Sequence, residues 1–193
     1  MGHRVTLCCR AGADEVTRRL KEMGVNGPRP LSLCSGLSLL NDLADLRQLL
    51  AWLPDYDVVH VHRGKEHWLA ALANRLSSAP RPLVRTRHIV HAVRPHPANR
   101  WLYGRATDVA VAVTEGIRRQ YVAAALLPPE RVVTLQGGVD LERFHPRVDG
   151  AAFRVALGVP PGVPLVGMVG GLRVMKGHRV AVEAAVRLRR RGL

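Results

Sequence analysis

Three stretches of this 193-residue chain bring together residue types that could do chemistry. The first runs Leu165-Val166-Gly167-Met168-Val169-Gly170-Gly171-Leu172-Arg173-Val174-Met175-Lys176-Gly177-His178. An apolar run passes through paired glycines into a helical pattern. Backbone N–H groups and the positive helix end then converge on one point, where an anion is stabilised. Lys176 falls at that same positive end, where a cation is disfavoured, and Arg173 lies nearby. A bound diphosphate would resolve the mismatch. A strand, loop and helix with two solvated basic side chains fits the bare pattern equally well.

The second stretch is a histidine cluster. His60 and His62 stand two apart at the end of an apolar run, so on a strand they share a side. Arg63, Lys65, Glu66 and His67 follow, and Arg85-Thr86-Arg87 leads into His88. Metal ligation by His60, His62 and His88 is disfavoured, because Arg63, Arg85 and Arg87 would repel a cation. A polar pocket for an acceptor suits these residues better, at the carboxyl ends of strands where open α/β sheets bind ligands. The third stretch, Gly137-Gly138-Val139-Asp140, reads as a tight turn at which backbone approaches something closely.

The elements that must position these residues alternate in type. Strands are expected over Arg4–Cys9, Leu31–Cys34, Asp57–Val61, Leu83–Thr86, Asp108–Val113 and Val132–Leu135. Helices are expected over Gly12–Met23 (ended by Gly24), Leu39–Leu53, Lys65–Leu76, Asn99–Arg105 and Glu115–Ala125. Leu40, Leu43, Leu46, Leu50 and Leu53 form one helix face, and Trp68, Leu69, Leu72 and Leu76 are expected to face inward on the next. His88 to Pro97 has no period and reads as a loop. This alternation implies a Rossmann-like α/β fold with a parallel sheet covered on both faces. Beyond it, Arg147–Leu157 reads as a helix, Leu165–Val169 as a buried strand and Gly177–Arg191 as a helix. The division expected is residues 1–147 for one domain and 148–193 for the start of a second.

Composition bounds the rest. The formal net charge is +14 with a pI near 11.3, which points to an anionic partner. The basic residues are spread along the chain without interleaved aromatics, so nucleic acid is not the expected partner. Cys8, Cys9 and Cys34 lack metal-ligand or disulfide spacing and suit a reducing, cytoplasmic compartment.

Taken in order, these segments resemble family 4 glycosyltransferases, which have two Rossmann-like domains. Gly137-Gly138-Val139-Asp140-Leu141-Glu142-Arg143-Phe144-His145-Pro146 is similar to that family's N-G-V-D-x-x-x-F-x-P segment, with Gly137 in the usual Asn position. Val169 to Gly177 resembles its V-G-R-L-x-x-x-K-G segment, with Gly171 in the usual Arg position and Arg173 two residues later. Asp57–His62, Val84–His88 and Val111–Ile117 resemble three further family segments. Arg85–His88 and Trp101–Tyr103 resemble bacterial enzymes that decorate lipopolysaccharide or related glycoconjugates.

The resemblance implies transfer of a sugar from a nucleotide diphosphate sugar, as co-substrate, to an anionic or lipid-linked acceptor. No cofactor or metal is implied. Gly170, Gly171, Arg173, Lys176 and Gly177 would bind the donor diphosphate, and His88 would be catalytic. His62, Arg63, Lys65 and Arg87 would bind the acceptor, and Gly138 and Asp140 would form an interdomain turn. The family pattern has a strand and glycine-rich loop before the equivalent of Gly2 and an acidic segment after the last helix. The expectation is therefore a chain incomplete at both ends and inactive alone, with peripheral contact to the anionic inner face of a membrane. A sugar-nucleotide epimerase on the same fold and a basic module for nucleic acid or anionic surfaces are the rival readings.

Overall fold

The computed structural model describes residues 2–24 and 28–192. The chain divides into two compact units, Met1–Gly138 and Val139–Leu193.

The first unit is built on parallel strands. β1 (Cys8–Arg10) pairs with β2 (Arg29–Leu31), with α1 (Asp14–Glu22) between them in sequence. α2 (Leu39–Trp52) leads to β3 (Val59–Val61), α3 (Gly64–Leu76), β4 (Leu83–Arg87), α4 (Pro97–Gly104), β5 (Val109–Ala112), α5 (Glu115–Ala123) and β6 (Val132–Thr134). β3 to β6 form a four-stranded parallel sheet in sequence order. Gly24 ends the first helical segment in the left-handed region, at φ +69, where glycine carries no steric penalty.

Register decides which face is core. Val61 lies opposite Arg85, Arg85 opposite Ala110 and Ala110 opposite Val132. All four are buried, and this face carries the main apolar cluster with Leu83, Leu102, Ile117, Tyr121 and Leu126. The other face is not sealed. His60 is exposed and Val133 is 49% exposed, which departs from the expectation of a sheet covered on both faces. β1 also departs: it covers Cys8–Arg10 rather than Arg4–Cys9, and Val5 is exposed, because a strand paired only with β2 has one ladder and little cover.

Two helix faces differ from the leucine pattern. On α3 the buried residues are His67, Leu69, Ala70, Ala71 and Ala73, while Leu72 and Leu76 are exposed. Small alanines let the helix approach the sheet closely, and close packing there outweighs side-chain size. On α2 the one buried residue is Asp45, whereas Leu40 and Leu43 are exposed. Its carboxylate accepts N–H hydrogens from Ser32 (2.7 Å) and Leu33 (2.9 Å). Those bonds turn the chain away after Leu31, so β2 ends there instead of reaching Cys34.

The second unit holds α6 (Ala151–Ala156), a short 3-10 turn over Val174–Lys176 and α7 (His178–Arg190), none with a buried residue. The strand expected over Leu165–Val169 is not formed. The segment pairs with no strand among the described residues, and Val166 and Val169 are fully exposed. No helix among the described residues is long and apolar enough to cross a membrane.

Candidate functional site

The carboxyl ends of β3 and β4 bring the three expected histidines together. His60 and His62 rings lie 4.4 Å apart, and His62 stacks on His88 at 5.4 Å. His60 Nε2 shares a hydrogen bond with Thr86 Oγ1 at 2.7 Å, and His62 Nδ1 shares one with His88 Nε2 at 3.1 Å. The second bond needs one proton between two nitrogens, so at least one of those rings is neutral. Burial, then the charges of His88 and Arg85, lowers the His60 pKa. Burial and then His60, His88 and Arg85 lower that of His62. Among the described residues no group of three or more His, Cys, Asp or Glu side chains could hold a metal.

The opposite side of β4 opens differently. An open cleft of about 370 Å³ is lined by Gly64, His67 and Trp68 of α3, by Arg87, by the 92–96 stretch and by Leu102 and Tyr103 of α4. Of the expected acceptor residues only Arg87 lines it; His62, Arg63 and Lys65 do not. Arg87 Nε donates to the Ile89 carbonyl at 3.0 Å, and its guanidinium stands 6.0 Å from the Tyr121 ring. The loop above is tied down: Gln120 donates to the Val90 carbonyl, and Asn99 to that of Arg94. His96 Nδ1 caps α4 by accepting the Asn99 N–H. The lining carries Arg87 and Arg94 and no carboxylate, so its chemistry favours an anion.

His67 is the buried polar group of this wall. Thr107 Oγ1 donates to the Leu102 carbonyl at 2.7 Å and lies 2.7 Å from His67 Nε2. The hydroxyl hydrogen is thus committed, so Nε2 carries the imidazole proton and Nδ1 is a bare acceptor. Nδ1 is buried without a protein partner. Burial, with the nearby Arg85 charge second, pushes the pKa down to about 3. Neither His67 nor Asp45 was singled out from sequence for these roles.

Lys65 is fully committed within the fold. Its ammonium donates to the Cys34 carbonyl (2.7 Å) and the Gly36 carbonyl (2.8 Å) and pairs with Asp42 at 2.6 Å. Lys65, followed by the Ser38 N–H, holds the Asp42 carboxyl below its usual value. Arg63 precedes α3, and its N–H donates to Glu66 Oε2.

In the second unit, Arg173 enters the turn over Val174–Lys176, and Gly177 follows at φ +71. That left-handed residue reverses the backbone so that α7 starts at His178, immediately after Lys176. His178 Nε2 lies 3.1 Å from the Gly171 carbonyl, which closes the glycine loop over the helix start. A Cβ on Gly170 would meet His178 and Lys176 at ordinary contact distance, and one on Gly171 would meet nothing. Asp140 Oδ1 accepts the N–H groups of Glu142 and Arg143, closing its own turn. An added Cβ on Gly137 or Gly138 would have no neighbour within 4 Å, and neither glycine has a left-handed φ.

The family model described as Glycosyltransferase Family 4 matches residues 1–143. A D-inositol 3-phosphate glycosyltransferase of Nocardia farcinica is 35% identical over an alignment of 163 residues that covers 76% of this chain and 35% of that protein. The chain thus spans about a third of the length of the curated relatives it matches. A glycosyltransferase from Rickettsia africae is similar over 97% of this chain and 50% of its own, with a TM-score of 0.78 and 20% identity. HepE of Anabaena, solved in complex with UDP-glucose, is similar over 88% and 46%, with a TM-score of 0.65 and 20% identity. At such identities the two structures establish a shared fold.

Proposed function

The chain belongs to Glycosyltransferase Family 4, and from that premise we propose that it serves the transfer of a sugar from a nucleotide diphosphate sugar to an anionic acceptor. The observation that carries this reading is the Arg173–His178 turn. Left-handed Gly177 places Lys176 at the N-terminal end of α7, where free backbone N–H groups and the helix dipole already favour negative charge. A cation at such an end is disfavoured unless an anion binds there. As the glycosidic bond breaks, the leaving diphosphate gains charge. Lys176, Arg173 and the helix end would stabilise that charge more in the transition state than in the ground state. Gly170, Gly171 and Gly177 let the backbone come close to the phosphates.

In the first unit, the cleft beside β4 suits the acceptor, with Arg87 as its cationic contact. His62 and His88 line the other side of the strand ends, where His88 would meet the sugar or its acceptor hydroxyl, and Arg63 would add charge at the start of α3. Lys65 acts at one remove by fixing the 34–38 loop. The relatives' name, D-inositol 3-phosphate glycosyltransferase, is that of an enzyme for a phosphorylated polyol, and supports a phosphorylated acceptor over a neutral one. A lipid-linked glycan phosphate in glycoconjugate synthesis shares that chemistry.

The test is Lys176→Ala in the whole protein, assayed for release of nucleoside diphosphate from a panel of nucleotide sugars. Turnover should fall by at least about 10²-fold, as for loss of one charge-stabilising donor. Unchanged turnover would remove the diphosphate assignment.

A further inference from the structure

The inward row of β4 is Leu83, Arg85 and Arg87. Its central member is a charge where a sheet core ordinarily holds an aliphatic side chain. Arg85 is 5% exposed, between Val61 on one neighbouring strand and Ala110 on the other. Its Nε and Nη1 are buried without an acceptor, and among the described residues no carboxylate pairs with it. A guanidinium does not shed its proton, so the charge persists, and an unpaired buried charge opposes folding. Arg87, one step nearer the strand end on the same face, lines the cleft described above, whose lining adds Arg94 and holds no carboxylate. His67 forms part of that lining and feels the Arg85 charge, as does Tyr121, which lines the smaller recess that also borders Arg87.

We infer that Arg85 and Arg87 form a two-guanidinium site for a phosphate group beneath the 88–96 loop, in which the bound anion supplies the countercharge that the fold withholds from Arg85. Arg87 presents the fork that faces the cleft, and Arg85, buried behind it and not itself part of the lining, adds its positive charge from beneath. The anion site stands on the geometry of the first unit. It rests on the transferase reading only for the phosphate's owner, the acceptor. Free inorganic phosphate would satisfy the same groups.

Thermal melting tests this without any assay of turnover. The chain is melted with increasing inorganic phosphate against chloride at equal ionic strength, then with glucose 6-phosphate and with glucose. The wild type should gain stability saturably with phosphate, as a ligand of the folded state alone requires. Arg85→Met should do two opposite things. It should raise the melting temperature in phosphate-free buffer by about 2–4 °C, by removing an unpaired buried charge, and it should abolish the phosphate response. Arg87→Gln, nearer the strand end, should weaken the response at least about tenfold, and serves if Arg85→Met does not fold. A larger shift from glucose 6-phosphate than from phosphate, with none from glucose, assigns the anion to a phosphorylated ligand; equal shifts assign it to free phosphate, and either supports the site. Absence of any phosphate shift, or a full shift in both variants, overturns it. Loss of the shift in Arg85→Met together with normal turnover in Lys176→Ala would keep the anion site and remove the transferase mechanism alone.

Discussion

Two five-residue segments of this chain carry much the same strand signal and reach different ends. Leu83–Arg87 forms β4, paired on one side with β3 and on the other with β5, and Leu83 is wholly buried. Leu165–Val169 is the more apolar of the two, yet it pairs with no strand among the described residues and Val169 is fully exposed. The helix that follows each segment is present in both cases. Apart from its end groups, a helix satisfies its backbone within itself and needs no neighbouring segment to form its hydrogen bonds. A strand satisfies its backbone through neighbours, so its formation belongs to the sheet and not to the segment. Hydrogen exchange gives the sharpest break. Amides of β4 and β5 should exchange at least about 10³-fold more slowly than those of Leu165–Val169, because ladder amides open only with the core. Similar protection in both segments would mean that the second has a ladder partner in solution and would erase the contrast.

The packed segment differs in a second way: it buries polar groups and fixes their charge states. His67 is the clearest, with a pKa pushed down to about 3 from 6.5. The folded protein thus holds His67 neutral where the unfolded chain would protonate it. Above pH 6.5 neither state binds this proton and the full stability is present. As pH falls below 6.5 the unfolded state gains the proton first, and stability is lost progressively until about pH 3, on the order of 5 kcal/mol in all. The window from pH 6.5 to 5 isolates this group from the carboxylates. Urea melts there should show stability falling, with His67 contributing up to about 1.4 kcal/mol per pH unit, and His67→Gln should reduce the slope to the part left by His60 and His62, whose pKa values are also lowered. An equal slope in the variant would place the titrating group elsewhere.

How far such behaviour was legible in sequence depends on what each residue touches. The order and type of the first unit's elements followed from apolar runs and glycine stops, as with Gly24 and the β3 to β6 series, because those signals are local. The inward face of α3 did not follow, since Leu72 and Leu76 outweigh alanines in any apolar count while the sheet demanded a thin helix face. Asp45 was invisible because its partners, the Ser32 and Leu33 N–H groups, are 13 and 12 residues away. Arg85 was readable in principle. Strand alternation ties it to Leu83, so a buried Leu83 implies an inward Arg85. The type of Lys65 suits a ligand contact, and only the fold reveals that its ammonium is already held by two carbonyls and Asp42. At Lys176 the same difficulty runs the other way, for the turn and helix start are local and were visible.

The smallest effect in this contrast belongs to α7. Arg179 and Glu183 stand four apart, with Nε and Oε1 at 2.8 Å and side chains 92% and 51% exposed. On an isolated helical surface such a pair contributes a few tenths of a kcal/mol and weakens with salt. The order here is also the weaker one, since the cation precedes the anion and so stands nearer the positive helix end. Glu183→Gln should therefore move the melting temperature by less than about 1–2 °C, and raising salt should reduce even that. A larger, salt-resistant loss would show that this helix face is desolvated in solution, and that the second unit is packed more like β4 than its exposed side chains indicate.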